Sequence, residues 1–241
     1  MHNRVYIKKS SLNKNDIVTL NDDESHHIVN VKRFKKNDIV ELCSQSGELY
    51  KGRIENLSFP VSISILEKIE VRKDSFEIHV FFGNTKFKAL ESAITKCTEL
   101  GVKKFIPVIC DRSVSKTISI NRHERLKKLV REAVKQSEQT SFMEIDFTIP
   151  TLINILKKND WNEYDRTFLF LPDANRRLID DKECDSLKKV ALFIGPEGDF
   201  SPEEVVLFKN IGIKAYTFGE EVLRSDTAAI AAVASIKAIW G

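Results

Sequence analysis

Five consecutive apolar residues, Val190 to Ile194, run into Gly195-Pro196-Glu197-Gly198 and from there into a helix start. Because the run is continuous rather than alternating, it predicts a strand buried on both faces, and such strands belong to parallel sheets covered by helices. The two glycines let the backbone turn sharply and approach a ligand with no Cβ in the way. Ser201, Pro202 and Glu204 then spell the helix: a side-chain cap, a proline at the first helical position, and an S-x-x-E capping box. Strand, open turn and capped helix form the layout of a ligand site at a strand's carboxyl end. The turn is not a phosphate cradle. Neither G-x-x-x-x-G-K-[ST] nor G-x-G-x-x-G occurs in the chain, which excludes the usual nucleoside-triphosphate and dinucleotide readings.

The rest of the chain divides by pattern. Up to about Val71 it is β-rich and turn-punctuated, with strands expected at Val5–Ile7, Ile17–Leu20, Ile39–Cys43, Glu48–Ile54 and Val61–Ile69. Asp23–Phe34, with Asp22 as its cap, is the helical candidate there, and five short strands with one helix predict a small barrel. From Phe76 onward, apolar runs at Ile78–Phe82, Phe105–Ile109, Thr167–Leu171, Val190–Ile194 and Ala215–Phe218 alternate with helical periods. That alternation predicts an α/β layer on a mostly parallel sheet. The expected division is therefore residues 1–72 and 73–241, joined through the polar stretch at 72–75. A helix over Thr85–Leu100 ends at Gly101, and a second spans Arg122–Glu138. In the last helix Ala228, Ala229, Ala231, Ala232 and Ala234 leave so little side chain that it must lie close to a neighbour or a ligand.

Composition narrows the classes. An apolar content of 42% and a charged content of 30% describe a globular chain with material for a core. The first twenty residues lack the apolar centre of a signal peptide. Ala228–Ile236, the longest nearly apolar run, falls short of the ~18 residues a membrane span needs. The four cysteines, Cys43, Cys97, Cys110 and Cys184, stand apart and the five histidines form no ligand set. Free thiols, a reducing cytoplasm and no metal site are expected. Charge is unevenly spread: residues 103–131 carry nine Lys/Arg against Asp111 and Glu124, a balance of +7, and the remainder sums to −4. A solvated face and a phosphate-binding surface both fit such a cluster.

Gly195–Ser201, GPEGDFS, followed by Leu223–Ala232, LRSDTAAIAA, resembles the paired signature of the bacterial 16S ribosomal RNA uridine-N3 methyltransferases, GPEGG[FL]S or T and then LR-x-E-TA. These enzymes belong to the SPOUT superfamily of knotted, S-adenosylmethionine-dependent methyltransferases. Lys96–Val102, KCTELGV, is similar to the family's KATELGV, and Glu132-Ala133 with Gln136-Ser137 to its E-A-x-x-Q-S. His27 through Arg33 is similar to its H-x-x-x-V-x-R, so the resemblance spans the chain. It implies an α/β fold of SPOUT type with a mostly parallel sheet and a C-terminal trefoil knot, preceded by a small PUA-like β-barrel RNA-binding domain. It also implies S-adenosylmethionine as cofactor, a homodimer packed through the last helix, and 16S rRNA in the small ribosomal subunit as substrate. Two other readings stay open: a SPOUT methyltransferase of another RNA such as tRNA, and a non-catalytic RNA-binding or ribosome-assembly factor.

S-adenosylmethionine brings an adenine, a ribose and a cationic sulfonium but no phosphate, so its site needs backbone polar groups, apolar walls and room for close approach. The expected cofactor residues are Leu171, Ile194, Gly195, Gly198, Phe218, Gly219 and Leu223. Arg224, as a buried guanidinium, is the candidate to stabilise negative charge on the uracil oxygens, with Asp226 or Glu197 as the base. Structural roles compete for both acids: Asp226 as cap of the last helix, Glu197 as brace of the glycine turn. The expected RNA contacts are Arg33, Arg112, Ser113, Lys116, Arg122 and Arg125. Three departures from the family pattern stand out: Asp199 for a glycine, Asp226 for a glutamate, and Gln139-Thr140-Ser141 where arginines are usual.

Overall fold

The computed structural model describes residues 4–70, 76–158, 161–181 and 187–241, so the expected link at 72–75 and Cys184 lie outside the described residues. The chain separates into two compact units, one of residues 1–73 with Val134–Phe142, the other of residues 74–133 with 143–241.

In the first unit β1 (Arg4–Tyr6), β2 (Ile17–Thr19), α1 (Asp22–His26), β3 (Ile39–Cys43), β4 (Leu49–Asn56) and β5 (Ser62–Ile69) follow in order. The strands form one sheet in the order β1-β3-β4-β5-β2, antiparallel except where β1 runs parallel to β3. Register shifts at Lys51/Gly52 and Ile54/Asn56 add local bend and twist to the sheet around its apolar interior of Val40, Leu42, Ile54, Ile63 and Ile65. The cap of α1 is Asn21, one residue before the expected Asp22, because its side-chain oxygen accepts from Glu24 N at 2.9 Å. The helix continues through a wide turn, His27–Val31, and stops before Arg33, whose φ is +56°. The residues 134–142 assigned to this unit are tied in by side chains. Tyr6 Oη donates to the carbonyls of Val134 and Gln139, and the buried Glu24 pairs with Lys135.

The second unit is built on β6 (Glu77–Gly83), α2 (Phe87–Glu99), β7 (Lys104–Val108), α3 (Ile120–Ser137, its residues from Val134 onward counted with the first unit), β8 (Glu144–Ile145), α4 (Leu152–Lys158), β9 (Arg166–Phe170), β10 (Lys189–Ile194), α5 (Pro202–Asn210), β11 (Lys214–Tyr216) and α6 (Ser225–Trp240). Its six strands are all parallel, in the order β11-β9-β10-β6-β7-β8. Val190 to Ile194 are buried to the last residue, as a central strand demands. Phe81, Leu169, Ala191 and Phe193 share a core with Leu152, Ile155 and Phe208 of α4 and α5, while α6 packs on α2 and touches β6 and β10. Gly101 closes α2 at φ +75°, the left-handed position a helix C-terminus reserves for glycine. The expected strands and helices all form; α4 and the two-residue β8, at the sheet's edge, carry too little pattern to be read in advance.

Candidate functional site

Strand order brings the site together. β10 lies between β9 and β6, and β11 lies beside β9, so the segments leaving β9, β10 and β11 emerge at one edge of the sheet. They enclose a cavity of about 730 Å³ with the start of α2 and the first turn of α6. That volume lies within the usual range for small-molecule sites. Phe170 and Phe218 form one wall, their rings stacked at 4.7 Å with planes 4° apart. Of the other residues expected at the cofactor, Leu171, Ile194, Gly195 and Leu223 line it; Gly198 and Gly219 do not. A Cβ on Gly198 would meet Arg112 Cβ at 3.3 Å, and one on Gly219 would meet Glu221 Oε2 at 3.2 Å, so both glycines face neighbouring side chains. Sequence reasoning missed Gly83. Its ideal Cβ position lies 2.4 Å from Pro196 N, which makes it the glycine that lets the loop after β10 lie against the end of β6.

The glycine loop is held from behind. The predicted capping box is present: Ser201 Oγ accepts from Glu204 N at 3.2 Å, and Glu204 Oε2 accepts from Ser201 N at 2.8 Å. Each partner also reaches the loop after β7. Glu204 Oε1 accepts from Asp111 N at 2.9 Å and Ser201 Oγ donates to Asp111 Oδ2 at 2.6 Å. The Glu204 carboxylate is 1% exposed and spends both oxygens on this clamp, the way a buried charge is normally accommodated. Beside it Arg112 Nη1 donates to Gly198 O at 2.9 Å.

The three candidate catalytic residues all line the cavity. Arg224 is exposed at its mouth, not buried, because it stands outside the first turn of α6 as the N-cap residue. It makes no ion pair with Glu220 or Glu221. Asp226 is half-buried within the first turn of α6 and does not cap it; no side chain does. Glu197 is exposed and pairs with Lys86 Nζ at 3.1 Å. The buried Ser225 Oγ, also in the wall, has no hydrogen-bond partner among the described residues. An uncapped helix start with an unsatisfied hydroxyl, a flat aromatic wall and the Cβ-free Gly195 fit a ligand such as S-adenosylmethionine, which has both polar edges and flat apolar faces.

The candidate RNA residues are less uniform than their charge suggests. Lys116 is exposed, Arg122 lies 4.5 Å over the Phe87 ring, and Arg125 pairs with Glu91. Ser113 closes a tight turn, its Oγ accepting from Cys110 N at 2.9 Å. Arg33 belongs to the first unit and is exposed there. Among the described residues no group of three His, Cys, Asp or Glu is placed to hold a metal ion, no helix is long and apolar enough to cross a membrane, and Cys43, Cys97 and Cys110 are free and buried.

Six parallel strands with a glycine-loop cavity at their carboxyl edge, in a chain that also carries a small sheet unit, define the class, and comparison with known families agrees with it. The RNA methyltransferase domain family matches residues 72–237, and the RNA methyltransferase PUA domain matches residues 20–59. The chain belongs to the RNA methyltransferase family. It is 29% identical over 241 residues to ribosomal RNA small subunit methyltransferase E 2 of Borreliella burgdorferi, covering 98% of this chain and 97% of that one. Ribosomal RNA small subunit methyltransferase E of Rickettsia conorii is 27% identical, covering 98% and 95%. In fold it is similar to the crystal structure of ribosomal RNA small subunit methyltransferase E from Neisseria gonorrhoeae bound to S-adenosylmethionine. That likeness has a TM-score of 0.86 at 23% identity, across 100% of this chain and 99% of the other.

Proposed function

We propose that this protein transfers the methyl group of S-adenosylmethionine to N3 of a uridine in 16S rRNA of the small ribosomal subunit. The observation that carries the reading is the convergence of the loops after β9, β10 and β11 with the start of α6 on one cavity, using the residues that resemble the family signature. The full-length similarity to small-subunit rRNA methyltransferases supports the substrate.

When bound, S-adenosylmethionine supplies a methyl group already activated by its sulfonium leaving group. What remains for the chain is alignment and the handling of one proton. Phe170, Phe218, Leu171 and Leu223 would hold the flat apolar parts, and the backbone after Ile194 and Ser225 Oγ would meet the polar ones. Holding both reactants in line supplies much of the rate, since preorganised geometry replaces a costly encounter. N3 of uracil must lose its proton to attack, and a carboxylate within reach takes it. Glu197 is engaged by Lys86, whereas Asp226 forms no ion pair among the described residues and stands beside Arg224. In this reading Asp226 receives the proton and Arg224 stabilises the charge that develops on the uracil oxygens.

The same reading includes a cytoplasmic homodimer, with the small residues of α6 at its interface, and a knotted C-terminal segment. The exposed Ala234 and half-buried Ala231 leave a close-packing surface on α6, which supports the interface. The test is mapping of methylated uridines in ribosomal RNA from cells with and without the protein, together with transfer of labelled methyl to purified small subunits. One N3-methyluridine lost from 16S rRNA in the deficient cells is expected. An unchanged 16S rRNA, or label entering only tRNA, would overturn the assignment.

A further inference from the structure

Asp199 lines the cavity and is half-buried, with a backbone φ of +59°, a conformation that favours glycine. Its Oδ1 accepts from Phe200 N at 2.8 Å and lies 2.7 Å from where a Cβ on Gly195 would stand. Asp199 has no ion-pair partner among the described residues. The neighbouring charges differ: Glu197 is paired with Lys86, Arg112 is engaged at Gly198 O, and Asp226 sits in the first turn of α6, where the positive end of the helix compensates a carboxylate. Burial pushes the Asp199 carboxyl above its ordinary range; the hydrogen bond from Phe200 N opposes this, Asp173 adds to it, and Arg112 opposes it. A carboxylate held partly out of water, with one oxygen unspent, favours a cationic ligand.

We infer that Asp199 makes the cavity select the cationic methyl donor over its neutral demethylated product. The inference rests on the S-adenosylmethionine reading above. The two molecules differ by one methyl group and by the positive charge on sulfur, so a fixed negative charge in the wall attracts the donor and loses that attraction once the methyl has gone. Turnover gains from the difference, because the spent product is released without a charge holding it. A partly screened pair of unit charges several ångströms apart corresponds to a preference of about tenfold.

Calorimetric titration of the full chain with S-adenosylmethionine and with S-adenosylhomocysteine tests this. Asp199→Asn keeps an acceptor for Phe200 N and tolerates the left-handed backbone, so it removes the charge alone. Asp199→Gly removes the charge and relieves the backbone, and serves if the asparagine variant melts. In the wild type the donor should bind more tightly than the product; in both variants donor affinity should fall about tenfold while product affinity stays within twofold. Equal loss for both ligands, or no loss for either, would overturn the role of Asp199 and leave the cofactor reading standing. Failure of the wild type to bind either ligand would instead remove the cofactor reading, and the inference with it.

Discussion

Replacing Gly83 by alanine tests how the site is assembled, because the added methyl meets backbone rather than a side chain that can swing aside. The new Cβ would lie 2.4 Å from Pro196 N, 2.5 Å from Pro196 Cδ and 2.9 Å from Gly195 C. Carbon atoms in ordinary contact stand about 3.5–4.0 Å apart, so the loop must retreat by about 1 Å. It is not free to do so. One residue earlier Phe82 is paired with Ile194 in the sheet, Asp199 N is bonded to Pro196 O at 2.9 Å, and Arg112 holds Gly198 from behind. Overpacking of this kind costs about 1–3 kcal/mol. Lower freedom of the unfolded chain returns about 0.4–1 kcal/mol of that. At about 2–4 °C per kcal/mol for a chain of this size, Tm should fall by several degrees, read by calorimetry or circular dichroism. A wall displaced by about 1 Å should also lower methyl transfer by about a hundredfold, with weaker binding of S-adenosylmethionine. Gly212→Ala is the control: its Cβ meets nothing within 4 Å, so the variant gains only the backbone strain of a side chain at φ +79°, with cofactor affinity unchanged. A Gly83→Ala protein with wild-type Tm, affinity and rate would refute the argument that this close approach fixes the loop.

Three further outcomes are expected. Arg224→Lys should fold and bind cofactor normally but transfer methyl groups about a hundredfold more slowly, as loss of an oxyanion-type donor does; a rate within a few-fold on purified small subunits excludes the role. RNA affinity measured against salt should lose about 0.7–0.9 of log–log slope for each of Arg112, Lys116, Arg122 and Arg125 that meets a phosphate. A quadruple alanine variant with the wild-type slope makes that cluster a solvated face. His79 is buried against Tyr164, its Nδ1 3.0 Å from the phenol oxygen, and burial, with Lys189 adding, pushes its pKa down to about 4. The unfolded chain, with an ordinary histidine near pH 6.5, then binds the extra proton first, so stability falls as pH drops from about 6.5 toward 4, by at most about 1.4 kcal/mol per pH unit. Urea unfolding across that window should show the slope, and His79→Gln should flatten it; identical slopes would place the acid sensitivity elsewhere.

Local pattern was enough wherever the physics is local. The apolar run Val190–Ile194 is buried on both faces because a parallel strand between helices has no polar side, and Ser201, Pro202 and Glu204 cap α5 because a helix start needs acceptors for its free N–H groups. Gly101 ends α2 for the same kind of reason. Of the seven residues expected at the cofactor, five line the cavity, Gly195 and Leu223 from the segments that resemble the family signature and Leu171, Ile194 and Phe218 from outside them.

What the sequence left undecided depends on which segments meet, and only the tertiary structure decided that. Gly83 reads as an ordinary strand end until β6 and β10 are placed side by side, and then its missing Cβ is what admits Pro196. Gly198 and Gly219 look like ligand-approach glycines, yet each turns toward a side chain, Arg112 or Glu221. Glu204 announces a capping box in sequence, but its second oxygen holds Asp111, 93 residues away, a contact no local pattern encodes. Asp226 falls inside α6 instead of capping it because the helix begins one residue earlier, at Ser225. Backbone propensity and burial are written into neighbouring residues; the cavity is made by strand order, which brings together chain ends that the sequence keeps apart.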